Sequence, residues 1–274
     1  MNKIFFKEKT SLQTVKRILL QLNPNNVVGY KVFLPYKIFA KLKNFINNYV
    51  SNQYEFWVDI TDDLDMNFDS NNAIFYYDYG RNPKLTNIIK VKTKMPLQKT
   101  MIAKVNLNTN TIKDILKIWN YECDIFIDED DYSFEKIQEF FSVWKNKRNN
   151  YSKKILNFDN LFNNPNFSNF IFEIEDEKIT IKNILNHSFS TEKTFKEIEE
   201  TILSEEIFCE QCQNCHLQPY CKTFLNGYEG LQSFYTKDLS FNCKLTQFLL
   251  NSIQQIKEDA DERFNFSRKV NQSM

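Results

Sequence analysis

The chain has 274 residues, 42% hydrophobic and 15% aromatic, with 26 Phe and 13 Tyr, which suits one large folded domain or two modest ones and excludes a disordered chain. Lys plus Arg and Asp plus Glu balance at 35 each, so no whole-chain field points to nucleic acid or to anionic lipid. Only 4 Gly occur, far below the usual share of about 7%, which excludes glycine-rich phosphate loops of the Rossmann or Walker kind.

Met1–Lys9 carries too short an apolar run for a signal peptide, and no run approaches the ~18 residues of a membrane span. A cytoplasmic chain without a membrane partner is expected. Ser11–Leu22 places Leu12, Val15, Leu19 and Leu22 on one face behind a Ser cap and predicts a helix. A second helical pattern follows Pro35, with Ile38, Leu42, Phe45, Ile46 and Tyr49. Strand-like runs come next at Tyr54–Ile60, Ala73–Tyr77, Ile88–Val91 and Met101–Val105, split by Asp- and Asn-rich segments. Asn108–Asn120 and Ser133–Trp144 have helical spacing, and Cys123–Ile127 between them reads as a buried strand. This alternation over residues 1–150 predicts an α/β domain, with a small or incomplete barrel as one arrangement.

The polar, Asn-rich stretch 145–169 predicts a domain break, and 165–274 a second, smaller α+β domain. There Phe170–Ile181 reads as two short strands around an Asp-Glu turn, and Thr191–Ser204 as an amphipathic helix with Thr194 and Glu197 in capping-box spacing. Leu245–Asp259 is a closing helix before a loose polar tail.

Five of the six cysteines crowd between Cys209 and Cys243. Cys212, Cys215, Cys221 and Cys243 are separated by two, five and twenty-one residues, with Cys209 just ahead. Thiols held as small hydrophobes do not cluster so, and in a reducing compartment such a set points to a metal centre. Four thiolates suit tetrahedral zinc and an iron–sulfur cluster equally by spacing. Cys209 reads as a spare thiol nearby, with the alternative that it is a substitute ligand in a Cys-x2-Cys-x2-Cys run. With four cysteines present, His216 reads as a packing or surface residue, and His187 as a turn residue. Cys123 reads as core. Asp128–Asp131 reads as a cap and solvated turn. Asp59, Asp62, Asp63 and Asp65 lack the Gly and terminal Glu of a calcium loop. The aromatic runs Phe75–Tyr79 and Phe140–Phe141 read as core, or as a groove or sheet edge that takes an extended peptide by strand addition.

The segment Cys212-x2-Cys215-x5-Cys221, closed by Cys243, resembles the SPASM domain of radical-SAM peptide-maturing enzymes, which binds two auxiliary [4Fe–4S] clusters. Carried over, the ligands of one cluster are Cys212, Cys215, Cys221 and Cys243. The ligands of the other are missing together: Leu225 stands at one of its cysteine positions, and the earlier cysteine pair has no counterpart. That sorting favours iron–sulfur at the surviving site. The radical-SAM motif Cys-x3-Cys-x2-Cys is also lacking, since Cys123 is the only cysteine before position 209. Cleavage of S-adenosylmethionine by that route is therefore not expected, and a degenerate radical-SAM-like first domain is. The resemblance implies a "grasp-with-spasm" type of system, whose partners are a ribosomal precursor peptide and an ATP-grasp ligase. An accessory maturase subunit is expected rather than a catalyst.

Overall fold

The computed structural model describes residues 2–22, 29–49, 54–66, 68, 73–95, 99–121, 123–128, 130–163, 167–168, 171–181, 188–190, 192–204, 221–222, 226–228 and 238–272. The first part alternates strand and helix: β1 (Asn2–Phe6), α1 (Leu12–Gln21), β2 (Tyr30–Pro35), α2 (Tyr36–Tyr49), β3 (Tyr54–Asp59), β4 (Ala73–Asp78), α3 (Leu85–Lys94), β5 (Ile102–Val105), α4 (Ile112–Asn120), β6 (Asp124–Ile127), α5 (Phe134–Lys147) and α6 (Leu156–Asn163). Then come β7 (Phe167–Ser168), β8 (Ile171–Glu175), β9 (Lys178–Ile181), β10 (Ser188–Ser190), α7 (Phe195–Ser204), β11 (Cys221–Lys222), β12 (Asn226–Tyr228) and α8 (Leu239–Gln272).

Strands β1 to β6 lie side by side in chain order, each parallel to the next. Parallel neighbours need crossover connections, and crossovers of one hand put their helices on one face. The core shows that result. Val15, Ile18, Leu42, Ile88, Ile115 and Ile137 from the helices pack with Ile4, Val32, Val58, Phe75, Ala103 and Ile125 from the strands. The chain is thus α/β with a mostly parallel sheet. No described helix is long and apolar enough to cross a membrane.

Local chemistry sets the helix starts. Ser11 caps α1 by accepting from Thr14 N at 3.1 Å. Thr111 and Asp114 form a capping box on α4, and Thr194 and Glu197 form the one expected on α7. One expected strand is a helix. Ile88–Val91 lies within α3, where Ile88 and Val91 are fully buried one turn apart and Ile89 is 37% exposed. Strand alternation would have put Ile89 and Val91 on one face, and a parallel β4–β5 pair requires a crossover just there. Strands β1 and β2 add to those expected.

The hairpin expected to open a second domain extends the first sheet. Strand β8 pairs parallel with β1, β9 pairs antiparallel with β8, and β10 with β9. Its turn uses Asp176 at φ 52°, a left-handed position that Asp tolerates. The whole sheet has nine strands in the order β10-β9-β8-β1-β2-β3-β4-β5-β6. The stretch 145–169, expected as a boundary, contains the end of α5, the helix α6 and the strand β7. A separate three-stranded sheet has the order β11-β12-β7.

Helix α8 begins before the expected Leu245 and runs on to Gln272, through residues that read as a loose tail. Its Leu245, Leu249, Ile253 and Ile256 form a buried stripe, and Phe248 meets Phe134 and Phe141 at 5.5 and 5.6 Å between ring centroids.

The β6 end of the sheet is closed. Ile125 N donates to Lys154 O at 2.8 Å, and the side chain of Asn157 accepts from Ile127 N at 2.7 Å and donates to Ile127 O at 3.2 Å. These bonds occupy the outward backbone groups that strand addition at β6 would need.

Candidate functional site

Alternation along the parallel strands points Phe33, Trp57, Tyr76, Ile102 and Phe126 away from the helices, where they form a second, smaller cluster with Phe5 and Ile74 packed against it. The Phe5 and Phe33 rings stack with centroids 4.2 Å apart. Trp57 lies 5.2 Å from Phe33 and 5.8 Å from Phe126. The chain's own cations already sit over these rings. Lys31 Nζ is 5.6 Å from the Trp57 ring and Lys3 Nζ is 5.8 Å from that of Phe126, a favourable contact with the ring quadrupole.

Two residues further along four of these strands, the same face turns from apolar to charged: Asp59 after Trp57, Asp78 after Tyr76, Lys104 after Ile102 and Asp128 after Phe126. Lys104 Nζ bridges Asp78 at 3.4 Å and Asp128 at 3.0 Å. Arg81, in the turn after β4, bridges Asp59 at 3.2 Å and Asp62 at 2.9 Å. The loops holding these groups lock each other. Thr61 N donates to Asp59 Oδ1 at 2.9 Å, Asp78 N donates to Thr61 Oγ1 at 2.8 Å, and Arg81 N donates to Asp78 Oδ1 at 2.9 Å. The rim lies at the carboxyl ends of parallel strands, where α/β folds bind their ligands.

Burial raises the Asp59 carboxyl above the usual range, although Thr61 and Arg81 act against it. Burial pulls the Lys104 ammonium down, but Asp128 and Asp78 outweigh it and hold the group above its ordinary value. Tyr76 is held well above the ordinary phenol value by burial first and then by Asp59, Asp78 and Asp128. Towards the amino ends of the strands the same face has a cavity of about 440 Å³, lined among others by Lys31, Glu55, Trp57, Lys99, Thr100 and Asp124.

Compared with known proteins, the chain matches no family model, no curated protein and no solved structure.

Of the expected ligands, Cys212, Cys215 and the substitute Cys209 lie outside the described residues, as do His187 and His216. Cys221 falls on β11. Cys243 is in the second turn of α8 and partly exposed. Among the described residues no three His, Cys, Asp or Glu side chains are grouped to hold a metal ion. Cys123 is fully buried in the core at the start of β6.

The acidic segments divide differently from their sequence reading. Asp128 joins Lys104 on the rim instead of capping a solvated turn, while Asp130 accepts from Asn106 at 2.7 Å. Asp59 and Asp62 meet at Arg81, but Asp63 lies 4.0 Å from Lys37 and Asp65 3.3 Å from Lys94. The run Phe75–Tyr79 splits between faces, with Phe75 and Tyr77 in the helix-side core and Tyr76 on the aromatic face. The rim was missed because its members lie in four segments. The usable signal is an aromatic or Ile followed two residues later by a charge at the end of successive strands.

Proposed function

We propose that this is a SPASM-type protein that takes part in maturing a ribosomal peptide, binding the precursor and presenting it to a separate ATP-grasp ligase. One [4Fe–4S] cluster would be held by Cys212, Cys215, Cys221 and Cys243. The observation that carries the reading is this quartet of thiols, at intervals of two, five and twenty-one residues, with the other cluster's ligands missing as a set. The donor set fits the group, since four thiolates complete the ligation of such a cluster. Ligated in full by protein sulfur, the group supplies a staple or an electron relay and offers no open iron to a substrate.

Two features of the fold support the reading. Six parallel strands in chain order are the skeleton of an open β/α barrel, as a degenerate radical-SAM-like domain implies. Cys221 is fixed in a three-stranded sheet, and Cys243 lies on a helix anchored two residues later by the fully buried Leu245. Residues 165–274 would then form the SPASM-like unit, built partly on the edge of the first sheet. Binding of the precursor is the task left to a chain without the Cys-x3-Cys-x2-Cys motif.

Anaerobic purification of the full chain tests the cluster. A brown protein with broad absorption near about 400 nm and about four irons per chain is expected. A colourless protein with one tightly bound zinc would overturn it and leave a zinc-stapled binding module. Under reducing conditions the protein is expected to leave S-adenosylmethionine uncleaved.

A further inference from the structure

We propose that the cavity at the amino ends of the strands, on the aromatic face, binds a free α-amino acid with an aromatic side chain. Glu55 and Asp124 take its ammonium, Lys31 and Lys99 its carboxylate, and the apolar wall around Trp57 its ring. This goes beyond the precursor-binding reading and stands without it.

The shape of the face makes a container. Strands β3 and β6 are three spacings apart in the sheet order, about 14 Å if the sheet were flat. Yet the Trp57 and Phe126 rings lie 5.8 Å apart, so the sheet curls around this face. Helix α6 adds Leu156 and Asn160 to the lining. The resulting space of about 440 Å³ falls within the range of small-molecule sites, about 300–1,000 Å³.

The charges select the occupant. At the carboxyl-end rim every acid is paired, Asp59 and Asp62 with Arg81, Asp78 and Asp128 with Lys104. The cavity differs. Glu55 accepts from Trp57 Nε1 at 2.6 Å and Asp124 from Lys154 N at 2.9 Å, and neither makes an ion pair with a described residue. A carboxylate has about four acceptor sites, so each can also take an ammonium N–H. The lysines are held at the lining by the protein itself. Lys31 Nζ is 5.6 Å from the Trp57 ring, and Lys99 Nζ is 5.1 Å from the Phe75 ring and donates to Ala73 O at 3.2 Å.

Both signs of charge therefore line one space. A ligand of a single sign would be attracted by one set and repelled by the other, whereas a zwitterion can satisfy both. Trp57, Ile74, Ile102 and Leu156 form the apolar part of the lining, which suits a ring.

The test is a calorimetric titration of the full chain with L-phenylalanine at about pH 6, where α-amino groups are protonated. L-Phenylalanine amide lacks the carboxylate, N-acetyl-L-phenylalanine lacks the ammonium, and L-alanine lacks the ring. L-Phenylalanine is expected to bind at least about tenfold more tightly than each of the three, in keeping with charge-assisted pairing and ring burial. Glu55→Gln and Asp124→Asn keep their acceptor oxygens for Trp57 Nε1 and Lys154 N. Each should weaken L-phenylalanine several-fold and leave the N-acetyl compound unchanged. Lys99→Met should weaken L-phenylalanine and leave the amide unchanged. Glu177→Gln, in the β8–β9 turn, should alter nothing.

No measurable binding of L-phenylalanine, or equal binding of any of the three analogues, would overturn the proposal. So would wild-type affinity in both Glu55→Gln and Asp124→Asn when these unfold at the wild-type temperature. Iron is counted on the same samples, so failure of the cluster reading appears there and failure of the cavity appears in the titration alone.

Discussion

The two faces of the sheet use alternate residues of the same strands and are built for different ends. The helix face presents Ile4, Val32, Val58, Ala103 and Ile125, all fully buried, and asks only for volume and apolarity. The aromatic face runs from lysines and acids at the amino ends, through Phe33, Trp57, Tyr76 and Phe126, to the ion pairs at the carboxyl ends. Burying charge carries a desolvation cost that greasy packing avoids. The cost is limited here because each buried acid on the rim has a cation partner, Asp59 with Arg81 and Asp78 with Lys104, so one face rests on apolar packing and the other on paired charge.

Substitutions can break or sharpen that contrast. The largest effect is expected from Trp144→Ala on the helix side. Its ring is fully buried against Phe141 and Phe158, and its Nε1 donates to Asp159 at 3.1 Å. A loss of about 3–5 kcal/mol is expected in denaturant unfolding. Lys104→Met should come next, at about 3 kcal/mol, because it strands Asp78 and Asp128 without their cation. Adding Asp78→Asn and Asp128→Asn should recover part of that loss. Should Lys104→Met prove neutral, the rim would be no more than surface charge.

The pH dependence has a definite sign. The Lys104 ammonium is held above its ordinary value in the folded chain, by Asp128 and Asp78 acting against burial. Its stabilisation is therefore complete below the unfolded-state value of about 10.4 and is lost as pH rises through the folded value. The stability gap between wild type and Lys104→Met should stay constant through neutral pH and close only in strongly alkaline solution.

Smaller losses are expected away from both faces. Asn157→Ala removes the bonds to Ile127 N and O at the closed end of the sheet and should cost about 1–3 kcal/mol. Ser11→Ala at the cap of α1 should cost about 1 kcal/mol. Unfolding midpoints for the set should fall in this order.

The helix face was readable because its period is simple. Leu12, Val15 and Leu19 announce α1, and Ile112, Ile115 and Trp119 announce α4. Where period and length conflict, sequence misleads. Ile88–Val91 has the composition of a strand, yet it makes the crossover that the parallel β4–β5 pair requires. Strand β1 hides behind Asn2 and Lys3, which are buried at 2% and 1% exposure despite their polarity. The continuity of the sheet through β8 is a pairing of residues about 168 apart, such as Lys3 with Ile171, and no local pattern encodes it. The rim failed for the same reason, since Asp59 and Asp128 are neighbours only after the strands have aligned.

The functional reading rests on the thiols, and metal content across three proteins tests it most directly. Wild type, Cys221→Ala and Cys209→Ala should be purified without oxygen and assayed for iron and sulfide. The account predicts about four irons in wild type and in Cys209→Ala, and little or none in Cys221→Ala. Equal loss in both variants, or zinc in place of iron in all three, would contradict it.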